Sequence, residues 1–168
     1  MELWDVYDNC FNKLGRTHVR GERFPKGENH LVVHIYPVNK KGEVLIQKRQ
    51  NTLSWKPVYW AATGGSAIEG EDAWSACRRE LEEEMGILAD TQNSENCLMV
   101  KRHDNFCTVW VIRTDIAIED LKLQAAEVAD AKWVTPMEIR RMVKQGDFID
   151  YDYLEYLKNE GQKVFKDR

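Results

Sequence analysis

The sequence predicts an α/β fold in which a mixed β-sheet is packed between helices. Three observations lead to this prediction. Runs rich in β-forming residues alternate with helical patterns along the chain, and short turns separate them. The length of 168 residues suits one domain of about 150 residues. A hydrophobic content of 43% is sufficient for a real core. We therefore predict a single domain over residues 1–168, with an N-terminal hairpin extension over residues 1–28.

Two hairpins are predicted at the start of the chain. Glu2–Tyr7 and Arg16–Arg20 have the composition of short strands, and a turn-prone segment with a glycine separates them. His30–Val38 and Glu43–Arg49 are longer β-rich runs on either side of a glycine-containing turn.

A strand, a glycine loop and a helix are predicted next. Trp60–Thr63 has the pattern of a short strand that leads into Gly64 and Gly65. Asp72–Met85 has a helical pattern, and Gly86 can end that helix in the left-handed conformation. This segment brings a flexible glycine loop directly before a helix.

The remaining elements complete the alternation of strands and helices. Cys97–His103 and Phe106–Arg113 are predicted as a hairpin, and Ala131–Val134 as a further strand. A capping-box pattern at Thr135 starts a helix that runs towards Gly146. A last amphipathic helix is predicted over Ile149–Asn159.

Composition and charge narrow the class of protein. The 24 Lys and Arg residues against 28 Asp and Glu give a net charge of −4, which argues against nucleic acid as a large surface partner. No apolar run approaches the roughly 20 residues that span a bilayer, and the first residues lack the features of a signal peptide. We expect a cytoplasmic protein without a membrane partner. The four cysteines form no C-x-x-C pair and are expected to be reduced core residues.

The helix predicted over Asp72–Met85 carries a cluster of carboxylates. At 100° per residue, Glu80, Glu83 and Glu84 fall within one arc of about 100°. These residues repel one another and lie near the C-terminal end of the helix, where the dipole disfavours negative charge by up to about 1 kcal/mol. The ordinary alternative is a solvated helix end with i,i+4 ion pairs. Because Mg²⁺ prefers carboxylates, water and phosphate oxygens, we interpret the cluster as a metal platform.

These residues lie in a segment that resembles a known motif. Gly65–Ile87 resembles the Nudix box, G-x5-E-x7-R-E-U-x-E-E-x-G-U, in which U is a bulky aliphatic residue. Every specified position is matched, by Gly65, Glu71, Arg79, Glu80, Leu81, Glu83, Glu84, Gly86 and Ile87. A looser similarity covers most of the chain, including Gln47–Arg49 and Trp133–Glu138.

The resemblance implies a Nudix-type α/β/α sandwich with the activity of a hydrolase. Such an enzyme would cleave a diphosphate linkage in a small-molecule nucleoside diphosphate derivative, using Mg²⁺ or Mn²⁺ and an activated water. Carried over by position, it implies metal binding by Glu80, Glu83, Glu84 and the carbonyl group of Gly64. Arg79 is expected to hold a box glutamate, with Glu83 as its first candidate.

The resemblance also implies supporting and catalytic residues around the box. Gly65 and Gly86 should allow the backbone bends, and Glu71 should support the loop and the helix start. Glu127 matches an acidic position outside the box. Either Glu127 or a box glutamate would act as the general base. The alternative interpretation of Glu127 is an exposed glutamate without a role. Arg49 matches a position that contacts substrate phosphate, and a surface ion pair is its alternative.

Two other functions are compatible with parts of the sequence. The chain resembles the branch that includes isopentenyl diphosphate isomerase, and His30 matches that branch as a candidate substrate contact. Those isomerases carry a cysteine and a histidine where this chain has Gly64 and Ser66, which argues against isomerase chemistry. A non-catalytic ligand-binding Nudix module is the other alternative, and the intact box argues against it. The sequence leaves open whether the opening hairpin forms a homodimer.

Overall fold

The computed structural model describes residues 1–154. Its strands and helices follow the predicted order, and they are β1 (Leu3–Tyr7), β2 (Lys13–Val19), β3 (His30–Val38), β4 (Val44–Arg49), β5 (Trp60–Ala61), β6 (Thr63–Ser66), α1 (Ala73–Met85), β7 (Ser94–Lys101), β8 (Asn105–Arg113), β9 (Val128–Val134) and α2 (Pro136–Gln145). Two short 3₁₀ turns, at Thr91–Asn93 and Ile118–Asp120, lie in the connections. Within these residues, no helix has the length and apolar character that a membrane crossing requires.

The main sheet is mixed, as the alternating pattern predicts. Its strands lie in the order β5-β4-β3-β8-β7, and β9 pairs with β4. β3 and β8 run parallel, and the other pairs are antiparallel. β4 leaves β3 after one pair, Val38 with Val44, and β6 then pairs with β3 along Val32–Ile35. This fork brings the glycine loop of β6 beside β4.

Apolar cores on both faces of the sheet produce a three-layer arrangement. One core packs α1 against the sheet, and its fully buried members include Val33, Leu45 and Leu81. The other core packs α2 and the segment after it against the opposite face, with Ile46 and Phe148 as members. The observed layers confirm the predicted α/β/α sandwich.

Local signals at the helix ends are confirmed. Asp72 caps α1 through the backbone N–H of Ser75, and Gly86 ends it with φ of 70°. Thr135 and Glu138 form the capping box of α2. These caps depend on residues within one turn of each other, which is why the sequence reveals them.

The first two strands form a separate two-stranded sheet, as predicted for the opening hairpin. It contacts the rest of the chain at several places, including the residue before β3 and the loop before α1. Tyr7 forms a bridge with Asn29, directly before β3. The N–H of Glu69 donates to the carbonyl of Leu3, and that of Gly70 to Asp5, so the hairpin braces the loop before α1.

The C-terminal segment differs from the predicted helix. Residues 149–153 are not helical, and the part of the predicted helix after Leu154 lies outside the described residues. Tyr153 instead joins a buried hydrogen-bonded chain, with its hydroxyl 2.7 Å from Nδ1 of His34 and 2.8 Å from the hydroxyl of Tyr36. Asp152 forms a bidentate pair with Arg102. These long-range contacts override the helical pattern.

The cysteines follow the prediction only in part. All four are free, and Cys77 and Cys107 are buried. Cys97 is partly buried, whereas Cys10 is exposed in the turn between β1 and β2, which corrects its assignment to the core. The hydrogen bond from its N–H to Asp8 shows that this turn is organised by polar contacts.

His34 should make the stability of the protein sensitive to acid. Burial, with a smaller effect from Arg102, lowers the pKa of His34 from 6.5 to about 3. A base whose folded-state pKa is depressed stabilises the fold above its unfolded pKa, and this stability is lost as pH falls below about 6.5. Between pH 7.5 and pH 5, this group should reduce the free energy of unfolding by about 2 kcal/mol.

The variant His34→Gln tests this prediction, because glutamine retains a polar partner for Tyr153 and does not titrate. Urea unfolding at the two pH values should show a smaller loss of stability on acidification in the variant than in the wild type. Equal losses would show that His34 does not contribute to the acid sensitivity.

Candidate active site

The C-terminal half of α1 directs carboxylates towards the glycine loop of β6. Glu84 is 2% exposed, and the side chain of Glu80 is 12% exposed. Glu83 lies at the rim, with its side chain 51% exposed. The predicted acidic arc is therefore present, and two of its three members lie inside the protein.

Arg79 lies at the centre of an ion-pair network. Its Nε and Nη2 donate to the two carboxylate oxygens of Glu71 at 2.7 Å and 2.9 Å. Its Nη1 donates to Glu80 at 2.9 Å and to Glu83 at 3.1 Å. Nη2 also donates to the carbonyl of Ser66. The principal partner is therefore Glu71, with Glu83 as an outer one, because only Glu71 offers both oxygens to the planar guanidinium group.

Glu84 is held by two donors from different elements. Nε2 of Gln47 on β4 donates to its Oε2 at 2.9 Å, and the N–H of Gly64 donates to the same atom at 3.2 Å. Oε1 of Glu84 accepts no hydrogen bond within residues 1–154. Gln47 is itself held by the hydroxyl of Thr63. Sequence reasoning missed Gln47, although a glutamine directly after Val44, Leu45 and Ile46 in a buried strand is an available signal.

The glycine loop approaches its neighbours too closely for side chains. A Cβ atom on Gly64, whose φ is 149°, would lie 2.0 Å from the carbonyl oxygen of Val33. A Cβ atom on Gly65 would lie 2.4 Å from Oε1 of Glu80. These two glycines therefore permit the backbone to lie against β3 and against the carboxylates. At the other end of α1, Gly86 packs against Lys122 and adopts a left-handed conformation.

The electrostatics of the cluster disfavour its own ionisation. Burial raises the pKa of Glu84 to about 8, Glu80 and Glu127 add to this rise, and the hydrogen bonds from Gln47 and Gly64 oppose it. Burial likewise raises the pKa of Glu80 to about 7, with Arg79 opposing the rise. A cation placed among these side chains would restore their charged forms.

The loop that carries Glu127, directly before β9, docks against the end of α1. The N–H groups of Lys122 and Gln124 donate to the carbonyls of Met85 and Glu84, at the end of α1. The carbonyl of Glu127 accepts from the N–H of Gln50, after β4. Its negative charge contributes to the raised pKa values of Glu80 and Glu84.

Arg49 and His30, the two predicted substrate contacts, lie in different surroundings. Arg49 ends β4, next to Gln50, and therefore lies beside the Glu127 loop. His30 lies four residues before His34, the partner of Gly64, which is about 13 Å along an extended strand. Its ring stacks on Trp4 at 4.3 Å and on Phe24 at 5.2 Å between centroids. The structure does not bring His30 to the carboxylates.

The donor set fits a hard divalent cation that completes its shell with water and substrate. Oε2 of Glu80 and Oε1 of Glu84 accept no hydrogen bond within residues 1–154, although both residues are largely buried. Among residues 1–154, no group of three His, Cys, Asp or Glu side chains forms a preassembled metal cage, partly because Arg79 holds Glu80 and Glu83. Mg²⁺ does not require such a cage, since it is usually bound by one or two carboxylates with waters and phosphates.

Comparison with known proteins identifies the family. The family model described as "NUDIX domain" matches residues 28–157. The Nudix hydrolase lmo0368 of Listeria monocytogenes is 40% identical over 160 residues, covering 95% of each chain. The crystal structure of DR0079 from Deinococcus radiodurans has a TM-score of 0.79 at 21% identity, covering 94% of this chain and 98% of that one.

A further solved structure shares the fold at lower similarity. The NUDIX domain of Shewanella oneidensis NrtR, solved in complex with ADP ribose, has a TM-score of 0.62 at 17% identity, and the match covers 81% of this chain and 88% of that one. The family model and the Listeria relative carry the assignment, since both span most of the chain, and the two structures support the fold. None of these matches tests the resemblance to the isomerase branch. With its complete box on α1 and these relatives, the chain belongs to the Nudix family and is a Nudix hydrolase.

Proposed function

We propose that this Nudix hydrolase cleaves the diphosphate linkage of a nucleoside diphosphate derivative in a reaction that requires Mg²⁺, for which Mn²⁺ can substitute. The observation that supports this most is the pair of largely buried carboxylates, Glu80 and Glu84, beside the glycine loop. Two such carboxylates with two oxygens free of protein donors suit a cation that carries a phosphate group.

The roles proposed for the residues follow from their match to the Nudix family. Glu80, Glu83, Glu84 and the carbonyl of Gly64 would hold the cation. When bound, the cation would offset the repulsion between a diphosphate and the carboxylates and lower the pKa of an attacking water. Glu127 would accept the proton of that water, with Glu83 as the alternative base.

Two parts of the chain position these groups. Arg79 binds Glu71 and Glu80 together and thereby fixes the loop of β6 against α1. Gln47 and the N–H of Gly64 both bind Oε2 of Glu84, which leaves Oε1 as the oxygen available to a cation. The carboxylates are therefore oriented before a substrate arrives, which reduces the cost of assembling the site.

A panel of compounds tests the proposal. Nucleotide sugars, ADP-ribose, dinucleoside polyphosphates, coenzyme A derivatives and modified nucleoside triphosphates are incubated with the protein in Mg²⁺ and in EDTA, and products are separated by chromatography. We expect cleavage of at least one compound between its phosphorus atoms in Mg²⁺ and none in EDTA. Equal cleavage in EDTA would contradict the metal requirement.

The same assay separates the two alternatives. Conversion of isopentenyl diphosphate to its isomer would show that the protein is an isomerase and not the proposed hydrolase. Gly64 and Ser66 provide neither the cysteine nor the histidine of those enzymes. Binding of panel compounds without turnover under any condition would identify a ligand-binding module. Either result would contradict the proposed reaction.

A further inference from the structure

One tryptophan of this protein is exposed in a way that the core does not explain. Trp55 lies in the loop between β4 and β5 and is 55% exposed. The other five tryptophans are partly buried, as aromatic side chains in strands and helices usually are. Trp110, for example, packs on Trp74 at 5.4 Å between ring centroids. The exposed indole of Trp55 therefore requires an explanation other than folding.

Trp55 is held in place by Arg49. Nε of Arg49 donates to the carbonyl oxygen of Trp55 at 3.1 Å. The guanidinium carbon lies over the indole, 5.3 Å from the ring centroid. The backbone N–H of Arg49 donates to the carbonyl of Tyr59, which closes the base of the loop. The ring is thus oriented by a side chain and by the backbone while much of its surface stays open.

The backbone of this loop is strained. Lys56 and Val58, on either side of Pro57, have φ values of 46° and 60°. Left-handed backbone is rare for residues other than glycine and is least tolerated by β-branched residues such as valine. Strain of this kind is concentrated where a loop is held in a functional conformation. The two strained residues follow Trp55 in the same loop.

The loop starts beside the carboxylates. Gln50 is bound to the Glu127 loop through two hydrogen bonds, N–H to the carbonyl of Glu127 at 2.8 Å and Nε2 to that of Ala125 at 3.0 Å. Arg49 lies two residues after Gln47, the partner of Glu84, which is about 7 Å along a strand. Within residues 1–154, no hydrogen bond occupies Nη1 or Nη2 of Arg49. Arg49, a cation with free donors, therefore lies on β4 between Gln47 and the loop that carries the exposed indole.

We propose that Trp55 is the platform on which the nucleobase of the substrate stacks, with the terminal nitrogens of Arg49 binding an adjacent phosphate. This inference rests on the proposed function and specifies its substrate class as compounds with an aromatic base. Arg49 covers part of the indole, and the remaining surface can accept a second planar group. The guanidinium group binds phosphate oxygens in a bidentate manner, and stacking on an indole is available to every base.

Binding of compounds that lack a diphosphate linkage tests the platform without turnover. AMP, CMP, GMP and UMP are compared with ribose 5-phosphate by isothermal titration calorimetry in Mg²⁺, since ribose 5-phosphate lacks only the base. We expect the wild type to bind at least one nucleotide more tightly than ribose 5-phosphate. Trp55→Ala should weaken the binding of that nucleotide by about 10-fold or more. The same substitution should change the affinity for ribose 5-phosphate by less than about twofold. Trp55→Phe should retain most of the affinity.

A matched variant controls for the loss of any exposed apolar side chain. Met137→Ala, at a 76% exposed position on α2, should leave all affinities unchanged. Thermal unfolding of each variant verifies that the fold is retained. Equal affinity of the wild type for nucleotides and ribose 5-phosphate, or equal weakening of both in Trp55→Ala, would overturn the platform. If either result is obtained and the protein still hydrolyses a panel compound in Mg²⁺, the platform is wrong and the proposed function stands. Absence of hydrolysis would instead contradict the proposed function.

Discussion

Replacing Glu84 by glutamine is expected to reduce Mg²⁺-dependent hydrolysis by about 10²–10³-fold. The substitution preserves the shape of the side chain and an oxygen that can face Gln47, while it removes the charge proposed to hold the cation. A metal ion contributes several kcal/mol to stabilising charge in phosphoryl chemistry, and each 1.4 kcal/mol corresponds to about tenfold in rate. Measurement of kcat and KM on the best panel compound, with Mg²⁺ varied, tests this result.

The same variant has a second expected effect, of opposite sign, on stability. The folded-state pKa of Glu84 is raised to about 8, so its contribution to stability is present below about pH 4.5 and is lost as pH rises through about 8. Without metal, Glu84→Gln should therefore be more stable than the wild type at pH 8 by urea unfolding. Added Mg²⁺ should reduce this difference, because it stabilises the wild type.

Glu82→Gln provides the control for both measurements, since Glu82 is exposed on the same helix. It should retain hydrolysis within about twofold and stability within about 0.5 kcal/mol. If Glu84→Gln hydrolysed the substrate as fast as Glu82→Gln, the assignment of Glu84 as a cation ligand would be wrong.

Replacing Gly64 by alanine is expected to destabilise the protein by about 3–5 kcal/mol. The new Cβ would meet the carbonyl oxygen of Val33 at 2.0 Å, a backbone atom of a central strand that cannot move aside. The φ of 149° at this position adds conformational strain for any residue with a side chain. Displacement of the loop would also separate the N–H of Gly64 from Glu84. Urea unfolding and hydrolysis should therefore both show large losses.

Alanine variants of two other glycines distinguish the effects of backbone strain, of steric contact and of lost activity. Gly70→Ala has the positive φ of 85° but meets nothing within 4 Å, and it should cost only about 1 kcal/mol. In Gly65→Ala the new Cβ would meet the carboxylate of Glu80, which is flexible and can move. We therefore expect a larger effect on the rate of hydrolysis than on the free energy of unfolding. Equal stability of the Gly64 and Gly70 variants would contradict the importance of the contact with Val33.

The sequence predicts the local elements around α1 well. The extent of the helix, the left-handed Gly86 and the acidic arc each depend on residues within a turn or two of one another. The network of Arg79 is predicted less well. Spacing on a helix favours Glu83 as its partner, whereas the structure directs most of its donors to Glu71, which lies before the helix and is folded back onto it.

Long-range packing explains the remaining differences. His30 lies away from the carboxylates because it precedes His34 by four residues on β3, at a position where Trp4 and Phe24 stack on it. Residues 149–153 do not form the predicted helix, because Tyr153 has buried hydrogen-bond partners on β3. The contact of Tyr153 cannot be inferred from spacing, since more than 100 residues separate it from His34.

The sequence by itself determined the family, the order of strands and helices, and the set of glutamates on α1. These features depend on interactions between neighbours in the chain, for which periodicity and caps are direct signals. Only the tertiary structure decided that Gln47 orients Glu84, that the Glu127 loop docks against α1, and that Trp55 is exposed. The first depends on the fork between β3, β4 and β6, and the second on hydrogen bonds between residues far apart in the chain. Burial then changes the chemistry of the carboxylates, because desolvation acts only once the layers are assembled.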